Sequence, residues 1–148
     1  MRTVAVFALG LGALLTPALA GPVVDFDRWY PYPQAQQYAQ AYRRILMVYF
    51  WGHGCPYCEQ MNTFVLSDGA VSRILARRYV VASVDAHSPE GQSLSRQMRA
   101  FGTPTFVFLV PHEGAWKEIG RLFGSRPRAQ FLRELEQFCA KAGGEGCE

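Results

Sequence analysis

Residues 45–58, Ile45-Leu46-Met47-Val48-Tyr49-Phe50-Trp51-Gly52-His53-Gly54-Cys55-Pro56-Tyr57-Cys58, decide how the chain is read. Ile45 to Trp51 are all apolar or aromatic with no charge among them, the pattern of a strand buried on both faces. Gly52 and Gly54 break that strand, and Pro56 can open a helix because its fixed φ suits the first helical position. Met61, Phe64 and Val65 follow at helical spacing, which predicts a helix over 56–66 with one buried face. Cys55 then falls just ahead of a helix N-terminus, where unpaired N–H groups and the positive end of the macrodipole favour a thiolate. Cys58, one turn on, is close enough to close a disulfide with it. A bond this short closes too small a loop to gain much chain entropy, so a purely structural role explains it poorly. The reading is thiol–disulfide exchange, with Cys55 as nucleophile and Cys58 as the resolving thiol that attacks the mixed disulfide.

Working outward, the 148 residues suit one domain behind a leader at 1–20. Arg2 gives a positive start, Val4 to Leu15 an apolar run too short to span a bilayer, and Ala18-Leu19-Ala20 a small-x-small cleavage site before Gly21. A lipoprotein tether would need Cys where Gly21 stands. The expectation is a secretory signal peptide and an exported, periplasmic protein, in a compartment where disulfides persist. The formal net charge of +3 is spread over Arg43-Arg44, Arg77-Arg78 and Arg126/Arg128, interleaved with acids. That excludes the basic stripe a nucleic-acid binder needs, and no nucleic-acid partner is expected.

Residues 21–44 read as an aromatic and Pro-rich stretch followed by a helix over 34–44, with Tyr38, Ala41, Tyr42 and Ile45 on one face. After the redox helix, Ser67-Asp68-Gly69 marks a cap, and Val71, Ile74 and Leu75 a further helix to about Arg78. Tyr79 to Asp85 is a second strand, parallel to the first because the crossover is helical. Ser88-Pro89-Glu90 starts a helix whose face carries Leu94, Met98 and Phe101, ended by Gly102. Thr105 to Val110 and Trp116 to Phe123 form a hairpin around Pro111-His112-Glu113-Gly114. A last helix after Gly124-Ser125 carries Phe131, Leu132, Leu135, Phe138 and Cys139 as an apolar stripe. The fold class is an α/β sandwich, a mixed four-stranded sheet with helices on both faces. Residues 45–142 form the domain and 143–148 a Gly-rich tail.

From Ile45 to about Lys141 the chain resembles the thioredoxin family. The strand into Trp51 and the Cys55-Pro56-Tyr57-Cys58 turn, Gly102-Thr103-Pro104-Thr105 and Gly124 carry the resemblance. With its leader it is most similar to exported bacterial members that serve cytochrome maturation or sulfur oxidation. The resemblance implies a cis bond before Pro104 and a substrate-binding edge made by Thr103, Pro104, Pro56 and Tyr57. It also exposes departures. Thioredoxins proper carry a buried Asp and a nearby Lys where Tyr49 and Val81 stand here, and Pro56-Tyr57 is the glutaredoxin dipeptide.

His53 is a candidate thiolate stabiliser or proton shuttle, or a solvated turn residue. Trp51 packs under the turn, and Glu59 complements the helix dipole. Cys55, Cys58 and Met61 or His53 could hold copper(I), but Met61 fits a core stripe and no second Cys-x-x-Cys completes a zinc site. No metal or cofactor is therefore expected. Four cysteines allow three pairings, and the role of Cys55–Cys58 leaves Cys139–Cys147 as a structural clip, with a redox relay or an interchain bond as alternatives. Two functions remain: an exported thiol–disulfide oxidoreductase, or a non-enzymatic copper- or protein-binding module. Because Tyr57 supplies no charge between the cysteines, the expected direction is reduction of exported protein disulfides. Such a protein would work as a monomer fed by a membrane electron donor.

Overall fold

The computed structural model describes residues 29–143. The leader at 1–20, the stretch 21–28 and Cys147, with the clip expected at it, lie outside the described residues. The elements are β1 (Trp29–Tyr30), α1 (Tyr32–Ala41), β2 (Ile45–Trp51), α2 (Pro56–Gln60), a π-helical segment (Met61–Leu66), α3 (Gly69–Arg78), β3 (Tyr79–Asp85), α4 (Pro89–Met98), β4 (Thr105–His112), β5 (Ala115–Phe123) and α5 (Arg128–Lys141). The strands lie in the order β1-β3-β2-β4-β5. β3 runs parallel to β2 and β1, and β4 runs antiparallel to β2 and β5.

β2 sits at the centre, and its alternate side chains feed two cores. Ile45, Met47 and Tyr49 join Tyr79, Val81, Phe106 and Phe108 beneath the π-helical segment, α3 and α5. Leu46, Val48 and Phe50 join Val80, Ala82, Val107 and Leu109 beneath α1 and α4. Each fully buried side chain of this size contributes on the order of 1.5–3 kcal/mol. A one-residue slip of β2 would exchange the two sets, so the register and the place where the strand ends are strongly fixed.

Four expectations need correction. The sheet has five strands among the described residues, not four, because Trp29 and Tyr30 pair with Val81 and Ala82. Two residues are too few for a periodic signal, and the prolines around them pointed to irregular chain. The first helix runs from Tyr32 to Ala41 and buries Ala35 and Ala39, whereas Tyr42 is exposed. Small residues let α1 lie close on the sheet, and Tyr42 stacks on Tyr38 at the surface instead. The helix after the redox turn changes to π winding at Met61, so Met61, Val65 and Leu66 are buried and Phe64 is 72% exposed. A wider turn carries the third residue after Met61 off the buried face. Finally, α4 ends at Met98 because Arg99 takes the left-handed conformation (φ 54°), which leaves Phe101 outside the helix and 77% exposed.

α3 is capped by Asp68, whose carboxylate accepts from the N–H groups of Ala70 at 2.9 Å and Val71 at 3.2 Å and pairs with Arg128 at 3.0 Å. Burial alone would raise this carboxyl. The bonds from Arg128, Val71 and Ala70 outweigh it and hold the group below its ordinary value. A carboxyl depressed by folding stabilises the fold above its unfolded pKa and loses that contribution as pH falls through the folded value. Asp68→Ala should therefore cost about 1 kcal/mol near neutral pH. In denaturant titrations the gap to wild type should close as pH drops below about 4. A gap that stays constant into acid would contradict the assignment.

Candidate active site

The redox turn leaves the sheet at the carboxyl end of β2, beside the carboxyl end of β3. Trp51 and Asp85 are register partners, and the Ala86 N–H donates to the Trp51 carbonyl at 2.8 Å. Gly54 takes a positive φ of 65°, a conformation open to glycine without a Cβ penalty, and turns the chain toward α2. Cys55 is the N-cap of α2. Its Sγ accepts the Cys58 N–H at 3.2 Å, and its carbonyl accepts from Glu59 at 3.1 Å. Cys55 and Cys58 are disulfide-bonded with Cα atoms 5.2 Å apart. The two sulfurs are placed unequally. Cys55 is half-buried at the turn, whereas Cys58 is only 2% exposed. An incoming disulfide can therefore reach Cys55 and not Cys58.

The other side of the site comes from the loop before β4. The Thr103–Pro104 peptide bond is cis, and the Thr103 hydroxyl donates to Cys55 Sγ at 3.4 Å. Contacts from β5 and from the residue just after it fasten this loop. The Gly124 N–H donates to the Pro104 carbonyl at 2.9 Å. Arg121 of β5 donates to the carbonyls of Met98 at 2.9 Å and Arg99 at 3.1 Å, satisfying the open end of α4 while paired with Glu118. The resemblance to the thioredoxin family brought Thr103, Pro104 and the cysteines together, and nothing in the sequence pointed to Arg121.

The remaining candidates are placed as follows. Pro56 occupies the first turn of α2, and Tyr57 beside it is 59% exposed. Glu59 is exposed on the same turn. Trp51 is half-buried, donates its indole N–H to Ser83 Oγ at 2.8 Å and meets His53 edge-on with ring centroids 4.9 Å apart. His53 faces Asp85 at 3.4 Å. Met61 is fully buried, and its sulfur accepts the Arg126 N–H at 3.5 Å, so it points into the core rather than toward the cysteines. Among the described residues no group of three or more His, Cys, Asp or Glu is placed to hold a metal ion. Cys139 is buried on α5 and disulfide-bonded. A cleft of about 460 Å³ lined by Arg43, Arg44 and Arg78 opens at the start of β2, the opposite end of that strand from the cysteines. At about 3.3 Å per residue that is roughly 20 Å from the chemistry, so it belongs to no step at the sulfurs.

Tyr49, on β2, is 1% exposed and donates its hydroxyl to Asn62 Oδ1 at 3.0 Å. Burial pushes this phenol above its ordinary range, so it remains protonated. It is a packed neutral donor and cannot serve as a base near neutral pH.

A central mixed sheet with helices on both faces, a Cys-x-x-Cys at a helix start and a cis-Pro loop against the outer sulfur define a thiol–disulfide oxidoreductase of thioredoxin fold. The family model for the thioredoxin-like domain matches residues 32–139, and the chain belongs to that family. The solution structure of a thioredoxin from Thermus thermophilus is 66% identical, covering 78% of this chain and 89% of that one, with a TM-score of 0.75. A DsbH oxidoreductase is 20% identical, over 74% of this chain and 81% of that one, with a TM-score of 0.62. The oxidised C-terminal domain of DsbD from Neisseria meningitidis is 22% identical, over 74% and 97%, with a TM-score of 0.55. The latter two likenesses concern the fold alone. No curated protein sequence matches the chain.

Removing the Tyr49 hydroxyl separates a packing role from a proton-transfer role. Tyr49→Phe should lower stability by about 1 kcal/mol through the lost hydrogen bond to Asn62. The pH profile of disulfide reduction should keep its shape. A profile whose limbs move in the variant would show that the phenol takes part in the chemistry.

Proposed function

We propose that the protein is an exported reductant of specific protein disulfides, with Cys55 as attacking thiolate and Cys58 as resolving thiol. The observation that carries this is the unequal burial of the two cysteines, Cys55 half-buried at the turn against Thr103 and Cys58 buried. In the reduced protein the Cys55 thiolate attacks a substrate disulfide. That bond breaks, one substrate sulfur leaves as a thiolate that takes up a proton, and a mixed disulfide to Cys55 remains. Cys58 gives up its proton and attacks the Cys55 sulfur, which releases the second substrate thiolate and closes the Cys55–Cys58 bond seen here. Two electrons pass to the substrate.

Thr103 and Pro104 offer backbone groups to an extended substrate segment, in the manner of strand addition, with Pro56 and the exposed Tyr57 on the opposite rim. Residues 1–20 act as a signal peptide, and the periplasm is the working compartment. A membrane thiol–disulfide donor returns electrons to the pair, and the protein acts as a monomer. Cys139–Cys147 is the structural clip. Because Tyr57 adds no positive charge between the cysteines, the potential belongs near the glutaredoxin range, about −200 to −230 mV.

Three measurements test this. Cys58→Ser should accumulate mixed disulfides with periplasmic proteins, and Cys55→Ser should trap none and lose reductase activity. Exported protein should begin at Gly21 by mass spectrometry. Equilibration with glutathione should give a potential in the stated range, and a value near about −120 mV would reverse the direction. Trapping by Cys55→Ser in place of Cys58→Ser would overturn the assignment of roles.

A further inference from the structure

The redox turn carries a cluster that the exchange steps above do not use. Asp85 ends β3 with its carboxylate beside the turn and has an imidazole on each side. His53 Nε2 lies 3.4 Å from Oδ2, and His87 Nδ1 lies 3.9 Å from Oδ1. Oδ1 also accepts the His87 backbone N–H at 2.9 Å, which ties the 86–88 loop to the carboxylate. The ring of His53 is further held edge-on against Trp51.

His87 is distant from Cys55 in sequence, but Gly52 brings it next to the site. A Cβ on Gly52 would stand 2.8 Å from His87 Cε1 and 3.5 Å from Thr103 Oγ1. The imidazole and the hydroxyl that donates to Cys55 Sγ thus meet over the same glycine. His53 reaches the cluster from the other direction, two residues before Cys55. The other ionisable groups on the adjoining elements are Cys55 itself, Tyr57, Cys58 and Glu59 of α2, and Glu90 and, in the last turn, Arg96 of α4. Among the described residues no hydrogen bond or ion pair joins either glutamate to the cluster.

We propose that Asp85 holds His53 and His87 as a paired positive charge beside Cys55, so that protonation of the two imidazoles stabilises the reduced thiolate and sets how the potential moves with pH. The proposal rests on Cys55 being the exchanging thiolate. The reduced form carries a negative charge at Cys55 that the disulfide lacks, so a nearby cation favours the dithiol side of the equilibrium. Imidazole as a class gains its proton between about pH 5 and 8. The core beneath the pair offers only the neutral phenol of Tyr49, and the charge that tunes the site comes from outside the Cys55–Cys58 segment, from His53 before it and His87 on the loop after β3. His53 and His87 are positioning residues that act through charge, and Asp85 acts through them.

The test is the equilibrium of the full mature chain with glutathione, followed across about pH 5.5 to 8.5. His53→Ala/His87→Ala should lower the dithiol-to-disulfide ratio by about threefold to tenfold where thiolate and imidazolium coexist, and should converge on wild type above about pH 8. His53→Lys/His87→Lys keeps the charge without titrating in this range, so it should hold the dithiol-favouring shift above pH 8, where wild type loses it. Asp85→Asn should shrink the difference between wild type and the alanine pair, because the two rings are then no longer held beside the turn. Curves for the alanine pair that overlay wild type at every pH would overturn the proposal while leaving the exchange reading intact. A wild-type pair that fails to exchange with glutathione at all would overturn the exchange reading, and this proposal with it.

Discussion

The structure depends on β2 being buried on both faces. Ile45, Met47 and Tyr49 are fixed in one core and Leu46, Val48 and Phe50 in the other, so the strand cannot slide or rotate without exposing half of its side chains. Its carboxyl end is therefore a rigid platform. Ligands of open α/β sheets bind beyond the carboxyl ends of the strands, and here that edge carries Cys55, on the turn that leaves β2, and Asp85 at the end of β3. The antiparallel partner β4 begins at the same edge, which brings Thr103 and Pro104 to the outer sulfur. Helix α2 has only to start where β2 stops for all these groups to converge.

The resulting site separates tasks that a single residue could have combined. The core beneath the turn is neutral, with Tyr49 protonated and bonded to Asn62. The Cys58 thiol is shielded, and an incoming disulfide meets only Cys55. The titratable side chains nearest the turn, His53, Asp85 and His87, stand at the rim, all of them at least partly solvated. A solvated cluster is screened and acts gently, in contrast to a buried acid that can shift a pKa by several units. The arrangement suits a protein whose exchange is tuned by surface charge instead of by a deep proton acceptor.

Much of this was legible in the residues. The uncharged run of β2, the β-branched run of β3 and the cap at Asp68 carry strong local signals, and the structure places each of them where periodicity did. Cys55 and Cys58 stood out by their spacing and their place at a helix start, and the resemblance to the thioredoxin family, not spacing, joined Thr103 and Pro104 to them. What sequence could not show were features set by tertiary contact. The π winding at Met61 turned Phe64 outward, and Arg99 stopped α4 before Phe101 could join its face. β1 is a strand only because β3 offers it an edge. His87 and Arg121 were silent because their partners lie on other elements, reached through Gly52 and the end of α4. Local periodicity carries no information about such long-range pairs.

The central claim is that the two sulfurs have different roles because the fold exposes one and buries the other. Alkylation of the reduced protein as a function of pH, with each thiol followed separately by mass spectrometry, measures this most directly. The account predicts that Cys55 reacts well below pH 8, as a thiolate stabilised at a helix start does, while Cys58 stays unreactive over the same range. Parallel profiles for the two thiols, or earlier reaction at Cys58, would contradict it.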